Sequence, residues 1–261
     1  MEKRRLGGLL KTVVLTLVMV LLFGMTTMAA TKVNMNKYKT GSYYYNGVWE
    51  TSGTVYHKVT VPKTGILLVS GKGYDEYSSH KIKVALCDKN LKLVEKSYSY
   101  ADDDSEKYAW YGVSKGTYYI KVTGEKDYFL LAVNQKVANK GGAKKSSAAT
   151  VKKGKTGISG VIPASTKKTK TEKWYKFKVT QSKVLVLYLS AIGNGKFTFT
   201  VYGPSYSKGF KIASFMNDDR DFTSGNVYTR TPMRVKKGTY YLKVTRNSKS
   251  SGAVFFSWTL Q

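Results

Sequence analysis

The hydrophobic pattern of the chain is one of short alternating runs. Val55, His57 and Val59 alternate ahead of a Lys-Thr-Gly turn, and the apolar run Ile66 to Val69 follows. In the second half Tyr175, Phe177 and Val179 stand in the same relation to Val184 to Leu187. Side chains of an extended chain point alternately to its two faces, so each pair of runs reads as two antiparallel strands joined by a turn. Ile82, Val84 and Leu86 then run into Asp88-Lys89-Asn90, as Phe197, Phe199 and Val201 run into Gly203-Pro204-Ser205, each a strand entering a turn. Tyr128 to Val133 and Val254 to Leu260 close the two series.

One segment recurs almost unchanged. VSKGTYYIKVT at Val113 to Thr123 returns as VKKGTYYLKVT at Val235 to Thr245, identical at nine of eleven positions with an offset of 122. Gly116 and Gly238 provide positive φ in a turn that feeds a strand. Tyr118, Ile120 and Val122, and in the second copy Tyr240, Leu242 and Val244, are assigned to the buried face. About eight short strands per half, with little helical periodicity, predict an all-β chain of two tandem antiparallel β-sandwiches, jelly-roll or immunoglobulin-like. The first spans residues 31–138 and the second 156–261. Residues 139–155 hold Gly141 to Ala143, Ser146 to Ala149 and six Lys without an acid, the composition of a flexible, solvated linker.

The first 30 residues follow a different logic. Lys3, Arg4 and Arg5 precede an uncharged stretch from Thr12 to Met25 that ends in Thr26, Thr27, Ala29 and Ala30. That is the order of a secretory signal, with cleavage near Ala29 or Ala30. A retained anchor is the alternative reading, which the small polar end suits less well. The expected location is outside the cell or at its surface. A single cysteine among 261 residues excludes an internal disulfide framework, and with only two histidines a Cys/His zinc site is excluded as well.

Charge changes the picture most. The chain carries 44 Lys and Arg against 16 Asp and Glu, a net +28. Residues 31–138 hold 16 bases and 11 acids, the linker six bases, and residues 156–261 hold 18 bases and four acids. A field of one sign attracts polyanions, and salt weakens it. The densest stretch, Lys144, Lys145, Lys152, Lys153, Lys155, Lys167, Lys168 and Lys170, is the candidate anion-binding set, with an anionic cell-wall polymer or another polyanion as partner. Lysine also keeps strand-rich surfaces soluble and blocks edge pairing.

Rings that could stack on pyranose faces form a second candidate set, for carbohydrate: Tyr43, Tyr44, Tyr45, Trp49, Tyr74, Tyr77 and Trp110. Cross-strand packing is the alternative use of such residues. The acidic clusters Asp102, Asp103, Asp104 and Glu106, and Asp218, Asp219 and Asp221, are candidate oxygen ligands for a structural Ca²⁺, although neither has EF-hand spacing and Arg220 interrupts the second. No other cofactor is expected. His57 lies in an apolar strand, His80 in a polar loop, and Cys87 at a strand end as a packed thiol. Neither a nucleophile elbow nor a phosphate loop is present, and no enzymatic activity is expected.

The order Gly157 to Gly160, Glu172 to Val179, Val201 to Pro204, Asn217 to Asp219 and Lys237 to Val244 resembles the bacterial pre-peptidase C-terminal domain. In the first half, Lys115 to Val122 and Leu86 to Asn90 fit the same order, while Gly41 to Gly53 departs from it. The resemblance implies two tandem copies of a β-sandwich, the first more divergent, of the kind attached to secreted peptidases as accessory or surface-binding modules. No peptidase portion accompanies them here.

Overall fold

The computed structural model describes residues 30–37, 42–47, 53–73, 82–95, 98–100, 107–124, 128–165, 172–217, 227–246 and 251–261. The first half contributes β1 (Thr31–Asn34), β2 (Asn36–Lys37), β3 (Ser42–Gly47), β4 (Gly53–Val61), β5 (Gly65–Gly73), β6 (Ile82–Cys87), β7 (Tyr98–Tyr100), β8 (Lys107–Val113), β9 (Gly116–Gly124) and β10 (Tyr128–Lys136). After a 3₁₀ turn (Lys145–Ser147), the second half contributes β11 (Ala149–Thr150), β12 (Gly154–Ile162), β13 (Glu172–Val179), β14 (Lys183–Gly203), β15 (Tyr206–Asn217), β16 (Val227–Val235), β17 (Gly238–Arg246) and β18 (Ser251–Leu260).

Strand order resolves the topology that periodicity left open. In the first half one sheet runs β1-β4-β9-β6-β7 and the other β2-β3-β10-β5-β8. Numbered from β3 to β10, the eight principal strands lie in the orders 1-8-3-6 and 2-7-4-5, which is the jelly roll. The second half repeats it. There β12-β18-β14-β16 form one sheet and β13-β17-β14-β15 the other, with β11 added at the β13 edge. The single strand β14 serves both sheets: residues from Lys183 to Asn194 pair with β16 and β18, and those from Gly195 to Gly203 with β15 and β17. It changes layer beside Gly193, at φ +143°, where a Cβ would fall 2.2 Å from the Ser251 carbonyl oxygen.

Each sandwich has its own core. Val59, Leu67, Val69, Leu86, Tyr111, Ile120, Val122 and Leu130 form the first, and Tyr175, Phe177, Leu187, Phe199, Tyr240, Leu242, Val244, Phe256 and Trp258 belong to the second. The repeated segment is placed as its alternation predicts. Ile120, Val122, Tyr240, Leu242 and Val244 are buried, and Tyr118 is half-buried against the first core. The first Tyr of the repeat also ties down its turn: Tyr118 accepts from the Ser114 amide at 3.2 Å, and Tyr240 donates to the Lys236 carbonyl at 2.9 Å.

Residues 139–155 depart from the expected linker. They are docked along the second sandwich, with Ala148 and Val151 buried. Gly142 and Trp174 exchange backbone hydrogen bonds at 2.8 and 3.0 Å, β11 pairs parallel with β13, and the Trp258 indole donates to the Val151 carbonyl at 3.1 Å. Composition gave the wrong expectation because two apolar residues and the small Gly141-Gly142 pair are enough to cover an otherwise open strand edge.

The two sandwiches also meet. Gly112 of β8 donates its amide to Ser251 Oγ at 3.0 Å and accepts from the Ala164 amide at 2.7 Å. Ser251 Oγ in turn donates to the Glu95 carboxylate, and buried Arg246 donates to the Pro163 carbonyl at 3.0 Å. A Cβ on Gly112 would lie 2.4 Å from the Gly252 nitrogen, so only glycine allows this approach.

His57 is fully buried and hydrogen-bonded to the Tyr128 hydroxyl, and desolvation pushes its pKa down to about 4. The unfolded chain, with an ordinary imidazole near 6.5, therefore takes up the proton first. The stability this provides is complete above pH 6.5 and is lost as the pH falls toward 4. Urea unfolding at pH 7 and pH 4.5 is expected to differ by up to about 3 kcal/mol from this group, and His57→Gln is expected to flatten the dependence. Equal slopes for the two proteins would remove His57 as the cause.

Candidate functional site

The surface that concentrates chemistry is the outer face of the sheet β11-β13-β17-β14-β15. Tyr175, Phe177 and Val179 of β13 and Tyr240, Leu242 and Val244 of β17 point into the core. Strand alternation therefore turns Trp174, Lys176 and Lys178, and Tyr241 and Lys243, outward. Cross-strand register lays these in rows. Lys176 is opposite Tyr241, which is opposite Tyr202, while Trp174 is opposite Lys243, then Thr200, then Lys211.

The rings form the middle of the face, with Trp174 buried at 8% exposure and Tyr202 and Tyr241 half-buried. Trp174 and Tyr202 have centroids 5.5 Å apart. Lys243 Nζ lies 5.3 Å from the Trp174 ring, and Lys145 Nζ, brought in by the docked segment, lies 4.7 Å from Tyr241 and 6.0 Å from Tyr202. Cations over ring faces are held by a modest attraction, about 0.5–1 kcal/mol at exposed sites, while their outer hydrogens stay available. Glu172 is the acid in this group: it pairs with Lys243 at 2.7 Å and accepts from the Trp174 indole at 2.9 Å, so its charge is already matched. Around this centre Lys176, Lys178 and Lys211 are exposed and Lys196 is half-buried. Lys173 faces the other way, donating to Asn139 Oδ1 at 2.8 Å, and desolvation lowers its pKa.

Part of the expected set of lysines belongs to this surface. Lys145 reaches the ring cluster, Lys144 precedes it at the start of the 3₁₀ turn, and Lys152 and Lys153 are exposed just beyond β11 at the β13 edge. Lys155 lies in β12, and Lys167, Lys168 and Lys170 lie outside the described residues. The face itself was missed by density counting. The signal was the Lys-x-Lys alternation around Phe177, together with single lysines on neighbouring strands that only the register assembles.

Few of the other candidates are among the described residues. Tyr43, Tyr44 and Tyr45 lie in β3, paired with β10, while Trp49, Tyr74 and Tyr77 are outside the described residues. Trp110 is half-buried on the same side of β8 as Gly112, with its indole nitrogen shielded, which places it at the approach of the two sandwiches and not in a solvent-facing row. Asp102, Asp103, Asp104, Glu106, Asp218, Asp219, Asp221 and His80 also lie outside the described residues, as does the amino-terminal segment to residue 29. Among the described residues no cluster of acids, His and Cys has the makings of a metal site. Cys87 is buried, and its thiol is pushed up to about 11 mainly by desolvation, the state of a packing residue.

No family model matches the chain, and no curated protein matches it. Similar solved structures include the pre-peptidase C-terminal domain of a collagenase from Bacillus anthracis, 19% identical, covering 43% of this chain and 94% of that one at a TM-score of 0.31. A tandem CBM22 pair from Paenibacillus barcinonensis Xyn10C is 10% identical over 84% of this chain and 87% of that one, with a TM-score of 0.29. Tripeptidyl peptidase 2 is 9% identical, and the match spans 87% of this chain but 24% of that one, at 0.35. Likenesses of this order carry no ligand or activity over to this chain.

Proposed function

We propose that this protein is a secreted, non-catalytic binding module that attaches to an anionic polymer of the bacterial envelope through the lysine-rich face of its second sandwich. The observation behind this reading is the assembly of Lys145, Lys176, Lys178, Lys211 and Lys243 around Trp174, Tyr202 and Tyr241, with Glu172 already neutralised. Lysines are compact point charges that suit a repeating chain of anions and demand no fixed orientation from it. The reading also takes the two jelly rolls, alike in strand order and in the repeated segment of β9 and β17, as tandem modules of the kind the sequence resembles. Export rests on the amino-terminal signal pattern.

Long-range attraction of this kind weakens with ionic strength. Protein bound to isolated cell walls at low salt is therefore expected to be released by moderate NaCl. The combined variant Lys176→Gln, Lys178→Gln, Lys211→Gln is expected to bind walls about tenfold more weakly, and Lys144→Gln, Lys145→Gln, Lys152→Gln, Lys153→Gln to weaken binding to a lesser degree. Retention in high salt, or unchanged binding by the first variant, would count against the proposal.

A further inference from the structure

The opposite sheet of the second sandwich carries a different surface. On β12, β18 and β14, core residues such as Leu187, Leu189, Phe256 and Trp258 point inward. Gly157, Ser159, Tyr188, Ser190, Phe255 and Ser257 line an outward groove of about 300 Å³. That volume is at the small end of the range for sites that hold small molecules.

The pairing gives the groove its chemistry. Tyr188 is opposite Ser257, and Phe255 lies between Ser190 and Ser159 on its two neighbouring strands. Each ring thus has hydroxyls beside it in a checkerboard. Gly157 lets β12 come close to β18 at the edge of the groove, since a Cβ there would come within 2.9 Å of the Phe256 carbonyl oxygen. Arg230 of β16 is opposite Tyr188 on the far flank, exposed, with Nη2 3.3 Å from Gln261 Oε1. Among the described residues that line it, none is acidic.

Flat apolar rings interleaved with hydroxyls match a ligand whose own surface alternates C–H faces with hydroxyl edges, which is the surface of a pyranose. Ser159 Oγ already donates to the Ala138 carbonyl at 2.8 Å, but a purely apolar partner would leave the Ser190 and Ser257 hydroxyls covered without a hydrogen bond from it. The guanidinium on the flank, facing no carboxylate in the groove, complements a carboxylate on the ligand, which it can grip with two parallel hydrogen bonds. We infer that this groove binds a short stretch of acidic polysaccharide, a pyranose chain carrying carboxylates, stacked between Tyr188 and Phe255 with Arg230 reading the acid. The site is independent of the lysine face, which lies on the other sheet.

The test is calorimetric titration of the full chain with oligogalacturonate and with a neutral xylo-oligosaccharide, in about 0.5 M NaCl, where attraction by distant lysines is screened. Oligogalacturonate is expected to bind, and the neutral sugar about tenfold more weakly. Tyr188→Ala is expected to weaken oligogalacturonate binding about tenfold, and Arg230→Gln to abolish the preference for the acid. Ser190→Trp fills the groove without removing a core contact, and is expected to block binding with an unchanged melting temperature. The variant Lys176→Gln, Lys178→Gln, Lys211→Gln is expected to retain this binding. Absence of binding by the unmodified protein, equal affinity for the two sugars, or loss in the lysine variant with none in Ser190→Trp would overturn the assignment, and the last outcome would credit the lysine face alone.

Discussion

Arg246→Met is expected to destabilise the folded chain by about 3–5 kcal/mol, the range for breaking a buried charge pair from one side. Arg246 is fully buried at the end of β17, where desolvation works against its charge and Glu95 works for it. Glu95, itself buried, also accepts from Ser251. Removing the guanidinium leaves that carboxylate without its counter-charge and the Pro163 carbonyl without its donor. Replacing both charged groups, with Glu95→Gln added, is expected to recover part of the loss, because the remaining groups are then neutral. Urea unfolding read by tryptophan fluorescence checks both variants. Since these residues lie where the sandwiches meet, Arg246→Met is also expected to separate the transition into two steps. A midpoint equal to that of the unmodified protein would show that the cluster contributes nothing to stability.

Phe177→Ala is expected to cost about 3–5 kcal/mol, the usual range for deleting a large core ring. Phe177 is 1% exposed and lies between the two sheets of the second sandwich. Its ring centroid is 5.8 Å from Tyr240, 5.5 Å from Phe256 and 5.1 Å from Trp258. Removing it takes a partner from each of these at once, and rigid neighbouring strands limit how far the cavity can collapse. Lys176→Gln and Lys178→Gln, one position away on either side but on the outer face, are expected to change stability by less than about 0.5 kcal/mol. That contrast between adjacent residues checks the facing of β13: a large loss at Lys176 and a small one at Phe177 would mean that the strand is turned over.

Much of the fold was legible in the chain because strand alternation is a local signal. The buried sets Ile120 and Val122, and Tyr240, Leu242 and Val244, follow from period two alone. The turn after β6 was equally readable: Asp88 Oδ1 accepts from the Asn90 and Lys92 amides at 2.9 and 3.0 Å, as an Asp at a strand end is apt to do. What pattern could not decide was which strand lies beside which. Jelly-roll order depends on pairings such as β5 with β10 and β14 with β18, made between residues far apart in sequence. For the same reason Val184 to Leu187 and Phe197 to Val201, which read as separate strands, are parts of one.

The proposed binding face was less legible still. Lysine density pointed to residues 144–170, whereas the structure sets Lys145 of that stretch on one face with Lys176, Lys211 and Lys243, which come from three strands and form no run. Their common facing depends on register, and a one-residue slip of any strand would send its lysine inward. Trp174 gives no sign in sequence of being buried on the opposite face of β13 from the core cluster, because its neighbours Tyr175 and Phe177 are equally apolar and belong to that cluster.

The 21-residue strand β14 gives the second sandwich an unusual mechanical property. In the first sandwich the strands that correspond to the two parts of β14, β5 and β6, are separate and lie in different sheets, whereas in the second they are one. Here a continuous hydrogen-bonded span passes from one layer to the other, so tension entering either layer is carried into the second without crossing a loop. A molecule fastened to a wall by one face of this sandwich would resist being peeled apart by drag until β14 itself lost its neighbours on both sides.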